Sequence, residues 1–325
     1  MPEDQDQVHN PHDTGYRHLL TSKQAFVQLV KSFVRHGWAE QVDEASLELI
    51  DRTFVLQDFQ NKEADVVYKA KLKDREVIFY VLLELQSTVD FLMPQRLLQY
   101  MNEIWRFILK NTPKNEADRK DFRLPAIVPM VLYNGKAPWT VPLNFKETLE
   151  SHEAFGDLVV NFRYSLIPVR SYSEEELLET ANLIALVFRL DSVDSVEEIL
   201  EAFFKFSTVI TKLTPDEFTL FKAWAQKVLP KSFPEERKKE IIDALEETRP
   251  GEVEKLISNV ERAVKKSLED AQREGMEKGI EKGIEKGMEK GIQAVARQML
   301  AEGEDVEKII RYTGLAREEI EKLKE

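Results

Sequence analysis

Residues Asp65 to Gln86 read DVVYKAKLKDREVIFYVLLELQ, and this pattern predicts two neighbouring β-strands. Apolar side chains occupy every second position from Val66 to Leu72, which is the period of a strand with one buried face. From Val77 to Leu83 every residue is apolar, as in a central strand that is covered on both faces. The short polar break at Lys73 to Arg75 favours a hairpin between the two strands.

Two polar residues stand at the end of the second apolar run. Glu84 and Gln86 are two positions apart, so their side chains point to the same face of the strand. An unpaired carboxylate costs several kcal/mol to bury, so the site needs a counter-charge. A divalent cation supplies one, since hard cations such as Mg²⁺ take oxygen ligands, often from one or two carboxylates. Asp65 on the neighbouring strand is the expected second carboxylate.

Several short motifs stand around this hairpin in a definite order. They are His12-Asp13, Ala64-Asp65, Glu84-Leu85-Gln86-Ser87-Thr88, Met93-Pro94-x-Arg96-Leu97-Leu98-x-Tyr100 and Pro129-x-Val131-Leu132-Tyr133-Asn134-Gly135. Taken together they are similar to the recombination-promoting nuclease/putative transposase family, within the PD-(D/E)XK nuclease superfamily. The resemblance covers roughly residues 9 to 170. Each motif alone is weakly specific, but the ordered set is specific.

Two positions depart from the wider superfamily. The proline that precedes its first aspartate is Ala64 here, and its lysine is Gln86. Glutamine at that place is usual in the family, so the departure weakens the match to the superfamily rather than to the family.

The resemblance implies an α/β fold, a restriction-endonuclease-like mixed sheet flanked by helices, followed by an all-helical C-terminal region. It implies a metal-dependent DNA endonuclease that hydrolyses phosphodiester bonds in recombination or transposition. Asp65, Glu84 and the Leu85 carbonyl would hold Mg²⁺, or another divalent cation such as Mn²⁺ or Ca²⁺, and Gln86 would orient the attacking water or the phosphate. The alternative is a non-catalytic interaction or regulatory module on a nuclease scaffold. An RNase H-like transposase is disfavoured, because its acidic residues would come from distant strands rather than one hairpin.

Four further residues are secondary candidates. Asp13 is a candidate by family resemblance, with a local turn or helix cap as the alternative. Arg96 and Tyr100 lie four apart on a predicted helix, where Arg96 would contact a phosphate or form a structural ion pair. Lys69 belongs to a basic group around the hairpin, which fits phosphate contact and a solvated strand edge equally well. The five histidines show no metal-ligand spacing, so the sequence assigns no histidine site.

Composition sets further bounds. The chain has 325 residues, 42% hydrophobic and 32% charged, which favours a globular protein with more than one domain. Its longest apolar run is too short to span a bilayer, and its acidic start lacks a signal-peptide core, so we expect a cytoplasmic protein with no membrane partner. Disulfides and cysteine-ligated zinc are excluded, because there are no cysteines. The net charge of −13 argues against a broad DNA-binding surface but not against basic groups near a cleft.

The patterns divide the chain into four segments. Residues 1–10 are expected to be disordered, 11–171 to form the nuclease core, 172–250 a helical subdomain and 251–325 a helical tail. Within the core, Thr21-x-x-Gln24 predicts a capping box. An apolar run predicts a buried strand from Leu124 to Tyr133, and alternation of apolar and polar residues predicts a half-exposed strand from Val160 to Leu166. Ser173, Ser195 and Thr214 open three further predicted capping boxes.

The tail contains a four-residue repeat and a helix-turn-helix-like end. From Gly275 to Lys290 the repeat is Gly-(Met/Ile)-Glu-Lys, and each glycine costs a helix about 1 kcal/mol relative to alanine. The glycine row would let a partner helix approach closely, which predicts a homo-oligomer. The alternative prediction is a mobile linker, because the helix is weak on its own. Residues 251–325 carry 15 basic and 18 acidic side chains, which favours a protein-contact or regulatory role for the end over DNA reading.

Overall fold

The computed structural model describes residues 11–50, 66–73, 75–233 and 235–323. The described residues contain five strands: β1 (Val42–Leu49), β2 (Val66–Leu72), β3 (Arg75–Gln86), β4 (Ala126–Tyr133) and β5 (Ser165–Pro168). They form one sheet in the order β1-β2-β3-β4-β5. The pairs β1–β2 and β2–β3 are antiparallel, whereas β3–β4 and β4–β5 are parallel. The predicted hairpin and the mixed sheet are therefore confirmed.

Helices precede, separate and follow the strands along the chain. The helices before β4 are α1 (Pro11–Leu20), α2 (Lys23–Phe33), α3 (Gly37–Glu40), α4 (Met93–Asn111) and α5 (Lys114–Ala117). After β5 come α6 (Glu174–Thr180), α7 (Leu183–Asp191), α8 (Val196–Lys205), α9 (Ser207–Lys212), α10 (Pro215–Val228) and α11 (Glu235–Glu246). The last helices are α12 (Val253–Ala301), α13 (Val306–Thr313) and α14 (Arg317–Lys322). The all-helical C-terminal region is confirmed, because the described residues beyond Pro168 contain helices and no strand. None of the described helices is both long and apolar enough to cross a membrane.

Both faces of β3 are buried, as its apolar sequence requires. Val81, Leu83 and Leu85 belong to the larger core, together with side chains of α1, α2, α7 and α10. Tyr80 and Leu82 belong to a second core, which α4 covers with Met93, Leu97, Tyr100, Met101 and Ile104. Helices therefore lie on both faces of the sheet, and Glu84 continues the row that faces α4.

Two sequence predictions in this region were wrong in detail. The predicted capping box at Thr21 does not form. The residue before α2 is Ser22, and its side chain makes no cap. Thr21 belongs to the turn that ends α1, where the Thr21 hydroxyl donates to the His18 carbonyl at 2.8 Å. The strand predicted from Val160 begins only at Ser165. The residues just before it bond to another segment instead, with the Tyr164 amide donating to the Leu143 carbonyl at 3.2 Å.

Local cap signals further along the chain were more accurate. Ser173 and Thr214 form complete capping boxes with Glu176 and Glu217. Ser195 caps α8 with one bond from the amide of the glutamate three residues on. These helices begin where the sequence predicts, because a cap depends on residues that are neighbours in the chain.

The chain divides into two compact units, residues 1–264 and 265–325. In the first unit, α7 side chains share the larger core with the sheet. The second unit contains the glycine repeat, which is helical throughout as part of α12, and a small core around Ala296, Ile309 and Ile320. The predicted boundaries near residues 171 and 250 stay predictions, and the expectation for residues 1–10 lies outside the described residues.

Candidate functional site at the ends of the parallel strands

The parallel strands β3, β4 and β5 end together at one edge of the sheet. Gln86 is paired with Tyr133 at the ends of β3 and β4, and Tyr133 is paired with Pro168 at the end of β5. In open α/β sheets, ligands bind outside the carboxyl ends of parallel strands. This edge, which we call the carboxyl edge, is therefore the place to look for chemistry.

Glu84 is the most unusual residue near the carboxyl edge. Its side chain is 0% exposed, although it lies only two residues before the end of β3. The register pairs Val66 with Leu83, so the first described residue of β2 lies opposite the residue before Glu84. Asp65 precedes Val66 in the chain but lies outside the described residues.

The buried carboxylate of Glu84 has an arginine as counter-charge. Arg96 of α4 donates from Nη2 to Glu84 Oε2 at 3.1 Å and from Nη1 to Asp90 Oδ2 at 2.7 Å. The Tyr100 hydroxyl lies 3.4 Å from Nη2, and the guanidinium carbon lies 5.9 Å from the centre of the Tyr100 ring. Of the two sequence alternatives for Arg96, the structure shows the ion pair.

The electrostatics of Arg96 follow from this arrangement. Burial alone would lower the pKa of the guanidinium, but the Glu84 charge and the hydrogen bond to Asp90 outweigh it, so the pKa is raised above its ordinary value. A cation is thus fixed against Glu84. Arg96 therefore supplies a counter-charge that the sequence analysis expected from a divalent cation, and metal binding at Glu84 stays a prediction.

The other predicted residues occupy different positions. Leu85 is buried in the larger core and is paired with Leu132. Lys69 is paired with Tyr80 in the β2–β3 ladder, and its ammonium lies 3.7 Å from Glu48 on β1. Its register places Lys69 well before the carboxyl edge. The structure therefore brings Arg96 to Glu84 and Tyr100 to Arg96, but holds Lys69 elsewhere.

A second polar group lies just beyond the strand ends. Asp191, the last residue of α7, has a side chain that is 0% exposed. Its Oδ2 accepts hydrogen bonds from the Tyr16 hydroxyl at 3.0 Å and from Asn134 Nδ2 at 2.8 Å, and its Oδ1 lies 2.6 Å from His12 Nδ1. The Asp191 charge also raises the pKa of Tyr16, after the larger effect of burial. We call His12, Tyr16, Asn134 and Asp191 the Asp191 cluster.

The Asp191 cluster is connected to the carboxyl edge by backbone hydrogen bonds. The Asn134 amide donates to the Gln86 carbonyl at 3.0 Å. Arg170, just after β5, donates to the Asn134 carbonyl at 3.3 Å and to the Asp191 carbonyl at 3.2 Å. Side chains that follow β4 and β5, together with the backbone carbonyl at the end of β3, thus meet α1 and α7 at this edge.

Two more charged residues face the Asp191 cluster. Asp13 lies in the first turn of α1, and its charge, with that of Asp191, acts on Lys231. Burial nevertheless lowers the pKa of Lys231, and the two carboxylates oppose that effect. Asp13 was a sequence candidate, but His12, Asp191 and Arg170 were missed. His12 and Asp191 are 179 positions apart, a separation at which no periodic pattern connects two residues.

No metal-binding cluster is complete within the part of the chain that the structure describes. Residues 11–50, 66–73, 75–233 and 235–323 contain no group of three or more His, Cys, Asp or Glu side chains that would hold an ion. Glu84 is the one described carboxylate among the predicted metal ligands. The predicted site therefore depends on Asp65.

The fold and the site define an α/β protein with a mixed sheet and a buried carboxylate near the carboxyl edge. Residues 10–217 match the family described as "Putative transposase, YhgA-like". The chain belongs to this family, as the resemblance predicted. Residues 289–325 match the C-terminal HTH domain of the Rpn/YhgA-like nuclease family, which agrees with the predicted helix-turn-helix-like end.

Two curated relatives are distantly similar. The recombination-promoting nuclease RpnD of Escherichia coli O157:H7 is 23% identical over 134 residues, which cover 40% of this chain and 49% of the relative. The recombination-promoting nuclease RpnC of Escherichia coli strain K12 is 22% identical over 177 residues, which cover 54% of this chain and 56% of the relative. The chain thus spans about half the length of the curated relatives it matches. No solved structure matches the chain.

Proposed function

We propose that the protein is a metal-dependent DNA endonuclease of the PD-(D/E)XK type that hydrolyses phosphodiester bonds in recombination or transposition. One observation carries the proposal: a completely buried glutamate lies near the carboxyl end of the central strand in a family whose curated relatives are nucleases. Burying a carboxylate is costly, and such strain is typical of functional sites.

The residues near Glu84 have the chemistry that a divalent ion requires. Asp65 and Glu84 would supply carboxylate oxygens and Leu85 a backbone carbonyl, which are ligands that Mg²⁺, Mn²⁺ and Ca²⁺ accept. The bound ion would lower the pKa of a water molecule and polarise the scissile phosphate. Arg96 and Asp90 would keep the Glu84 carboxylate in place, and Gln86 would orient the water or the phosphate without adding charge.

DNA is the proposed substrate, for two reasons. The relatives are named recombination-promoting nucleases, and the C-terminal residues match an HTH domain. Helix-turn-helix units place a helix in the major groove, so the match favours DNA contact by α13 and α14 over the regulatory role that their charge suggested. The proposed location of the protein is the cytoplasm, as the sequence analysis expected.

We also propose that α12 contributes to self-association. Met276, Ile280, Ile284 and Met288 lie at four-residue intervals and are each more than half exposed. A Cβ atom added at Gly279 or Gly283 would meet nothing within 4 Å, so neighbouring helices have room to approach. Truncation after residue 274 should leave a cooperatively unfolding protein with fewer subunits per particle, as the oligomeric mass from light scattering will show. An unchanged number of subunits would leave the linker alternative.

One observation favours the alternative, a non-catalytic interaction module. Arg96 already neutralises Glu84, so the buried carboxylate has a structural function without a metal. The two proposals differ in whether the protein cleaves DNA and whether cleavage depends on the Glu84 carboxylate.

The experiment is nicking of supercoiled plasmid DNA with and without Mg²⁺. We expect Mg²⁺-dependent nicking by the wild type and its loss in Asp65→Asn and Glu84→Gln. Glu103→Gln is the matched control, because Glu103 is also a buried glutamate but is paired with Arg106 on α4. An ion present at about 100 times its Kd should stabilise the wild type by about 2.7 kcal/mol, and the two site variants less. Nicking that survives both site substitutions would refute the nuclease site, and a wild type that does not nick with Mg²⁺ would favour the interaction module.

A further inference from the structure

An open cavity lies along β5, which is the last strand in the order of the sheet. Its volume is about 530 Å³, within the range of about 300–1,000 Å³ that is usual for small-molecule sites. The lining includes the chain from Arg163 to Pro168 and the residues from Phe33 to His36, which lead from α2 to α3. Glu84 does not line this cavity, so the cavity is a different place from the proposed metal site.

Basic side chains line the cavity from two distant parts of the chain. They are Arg35, His36 and Arg163. Arg163 is exposed, and within the part of the chain that the structure describes its guanidinium makes neither a hydrogen bond nor an ion pair. Arg35 is 81% exposed, and its Nη2 lies 3.5 Å from Glu176 Oε1. A guanidinium has five N–H donors, so both arginines have donors to offer a ligand.

The acidic side of the lining is already engaged. Glu176 is the one carboxylate that lines the cavity. Its Oε2 accepts a hydrogen bond from the Ser173 amide at 2.9 Å in the capping box of α6, and its Oε1 is the atom near Arg35. Glu179 lines an adjoining cleft with Arg35 and Glu176, but it does not line this cavity. Arg163 is therefore a cation without a protein counter-charge among the described residues.

Uncharged donors add to the two arginines. The hydroxyls of Ser165 and Tyr172 line the cavity and have no hydrogen-bond partner in the described ranges. Burial raises the pKa of Tyr172 to about 12, and the Arg35 charge opposes the rise, so this cation acts directly on the hydroxyl. Ser171 differs, because its hydroxyl already donates to the Pro168 carbonyl at 2.8 Å. A cavity with many donors and one occupied carboxylate suits an anion that carries several acceptor oxygens, as a phosphate does.

The cavity also has apolar surface. Val34, Leu143 and Leu166 line it beside the polar groups. The Tyr172 ring is fixed by Phe33, at 5.0 Å between ring centroids, and by Phe188, at 5.9 Å. Small-molecule sites combine an apolar lining with a few polar groups that fix the orientation of the ligand. A bare inorganic ion would leave the apolar part uncovered, whereas an organic phosphate would cover it.

We infer that the cavity along β5 binds a small organic phosphate of about the size of a mononucleotide. Arg163 and Arg35 hold the phosphate group, and the Tyr172 hydroxyl donates to it. The organic part covers Leu143 and Val34. Arginine suits this role, because its planar fork forms two parallel hydrogen bonds to phosphate oxygens. The ligand is bound and not cleaved, so the inference does not depend on the proposed nuclease function.

The test is isothermal titration calorimetry of the full chain with AMP, ribose 5-phosphate, inorganic phosphate and adenosine. We expect at least one of the two organic phosphates to bind with one molecule per chain, and inorganic phosphate and adenosine to bind about tenfold more weakly or less. Arg163→Met should melt like the wild type, because the guanidinium has no partner to lose, but should weaken this binding by about 10- to 100-fold. Arg119→Met is the matched control, since Arg119 is an exposed arginine outside the cavity, and it should bind like the wild type.

Four results would overturn the inference. They are no binding of either organic phosphate, equal binding of inorganic phosphate, equal weakening in Arg163→Met and Arg119→Met, and binding of duplex DNA alone that is lost in Arg163→Met. The last result would make the cavity a contact for the DNA backbone. Glu84→Gln should bind the organic phosphate like the wild type, because Glu84 does not line the cavity. A failed nicking assay therefore leaves the calorimetric result intact.

Discussion

Replacing Arg96 should destabilise the protein far more than replacing its partner Glu84. Arg96→Met removes the guanidinium charge from a carboxylate that is 0% exposed. Breaking a buried ion pair from one side costs about 3–5 kcal/mol. Because Arg96 is itself 22% exposed and water reaches the space it leaves, we expect about 3 kcal/mol, the lower end of that range.

Glu84→Gln should cost much less. Arg96 keeps Asp90 at 2.7 Å, and the new amide oxygen still accepts a hydrogen bond from Nη2. The expected loss is about 1 kcal/mol, the size of one hydrogen bond. The double variant should be more stable than Arg96→Met alone, since the buried charge that lost its guanidinium is then absent.

The assay is equilibrium unfolding in urea, in buffer with chelator so that no metal contributes. Arg119→Met is the control, because its pair with Asp121 is exposed and surface pairs contribute little. Equal urea midpoints for Arg96→Met and Arg119→Met would refute the view that Arg96 supplies the charge that Glu84 needs. A larger loss in Glu84→Gln than in Arg96→Met would refute it as well.

Three further outcomes follow from other positions. Gln86→Ala should slow nicking by about 10²-fold, as loss of one positioned donor does, whereas Gln86→Lys should retain or raise the rate; nicking by the alanine variant at wild-type speed would exclude a catalytic role. Gly135→Ala should cost about 1–3 kcal/mol in urea unfolding, the usual cost of overpacking. Its added Cβ would lie 2.6 Å from the Ser87 carbonyl oxygen, whereas Gly37→Ala, with nothing within 4 Å, is the control that should not change. Burial raises the pKa of Tyr172 from 10.0 to about 12, so the stability from its neutral form is complete below pH 10 and is lost as the pH rises towards 12. Unfolding at pH 9 and pH 11 should therefore show a smaller loss for Tyr172→Phe than for the wild type, and equal losses would contradict the shift.

The sequence alone determined the features that depend on neighbours in the chain. The β2–β3 hairpin followed from alternation and a short polar break, and the capping boxes at Ser173 and Thr214 followed from residues three positions apart. The burial of Glu84 was also predictable, because it follows an uninterrupted apolar run. Family membership followed from the order of short motifs, each of which is local.

Sequence patterns were insufficient where a local signal competed with a distant one. Threonine is a common helix cap, but the Thr21 hydroxyl bonds to the last turn of α1 instead. The strand predicted from Val160 is shorter than expected, because the residues before Ser165 bond to the segment around Leu143. The glycine repeat predicted a weak helix, and yet α12 is continuous from Val253 to Ala301. A cost of about 1 kcal/mol for each glycine therefore does not end this helix.

The partners of the buried charges were decided only by tertiary structure. Arg96 reaches Glu84 because α4 packs on one face of β3, and His12 reaches Asp191 because α1 and α7 share the core on the other face. A charge pair of this kind leaves no period in the sequence, since it depends on which helices cover which face of the sheet. The sequence therefore determined that Glu84 is buried, whereas the packing of helices from distant parts of the chain decided which cation neutralises it and which histidine lies at the carboxyl edge.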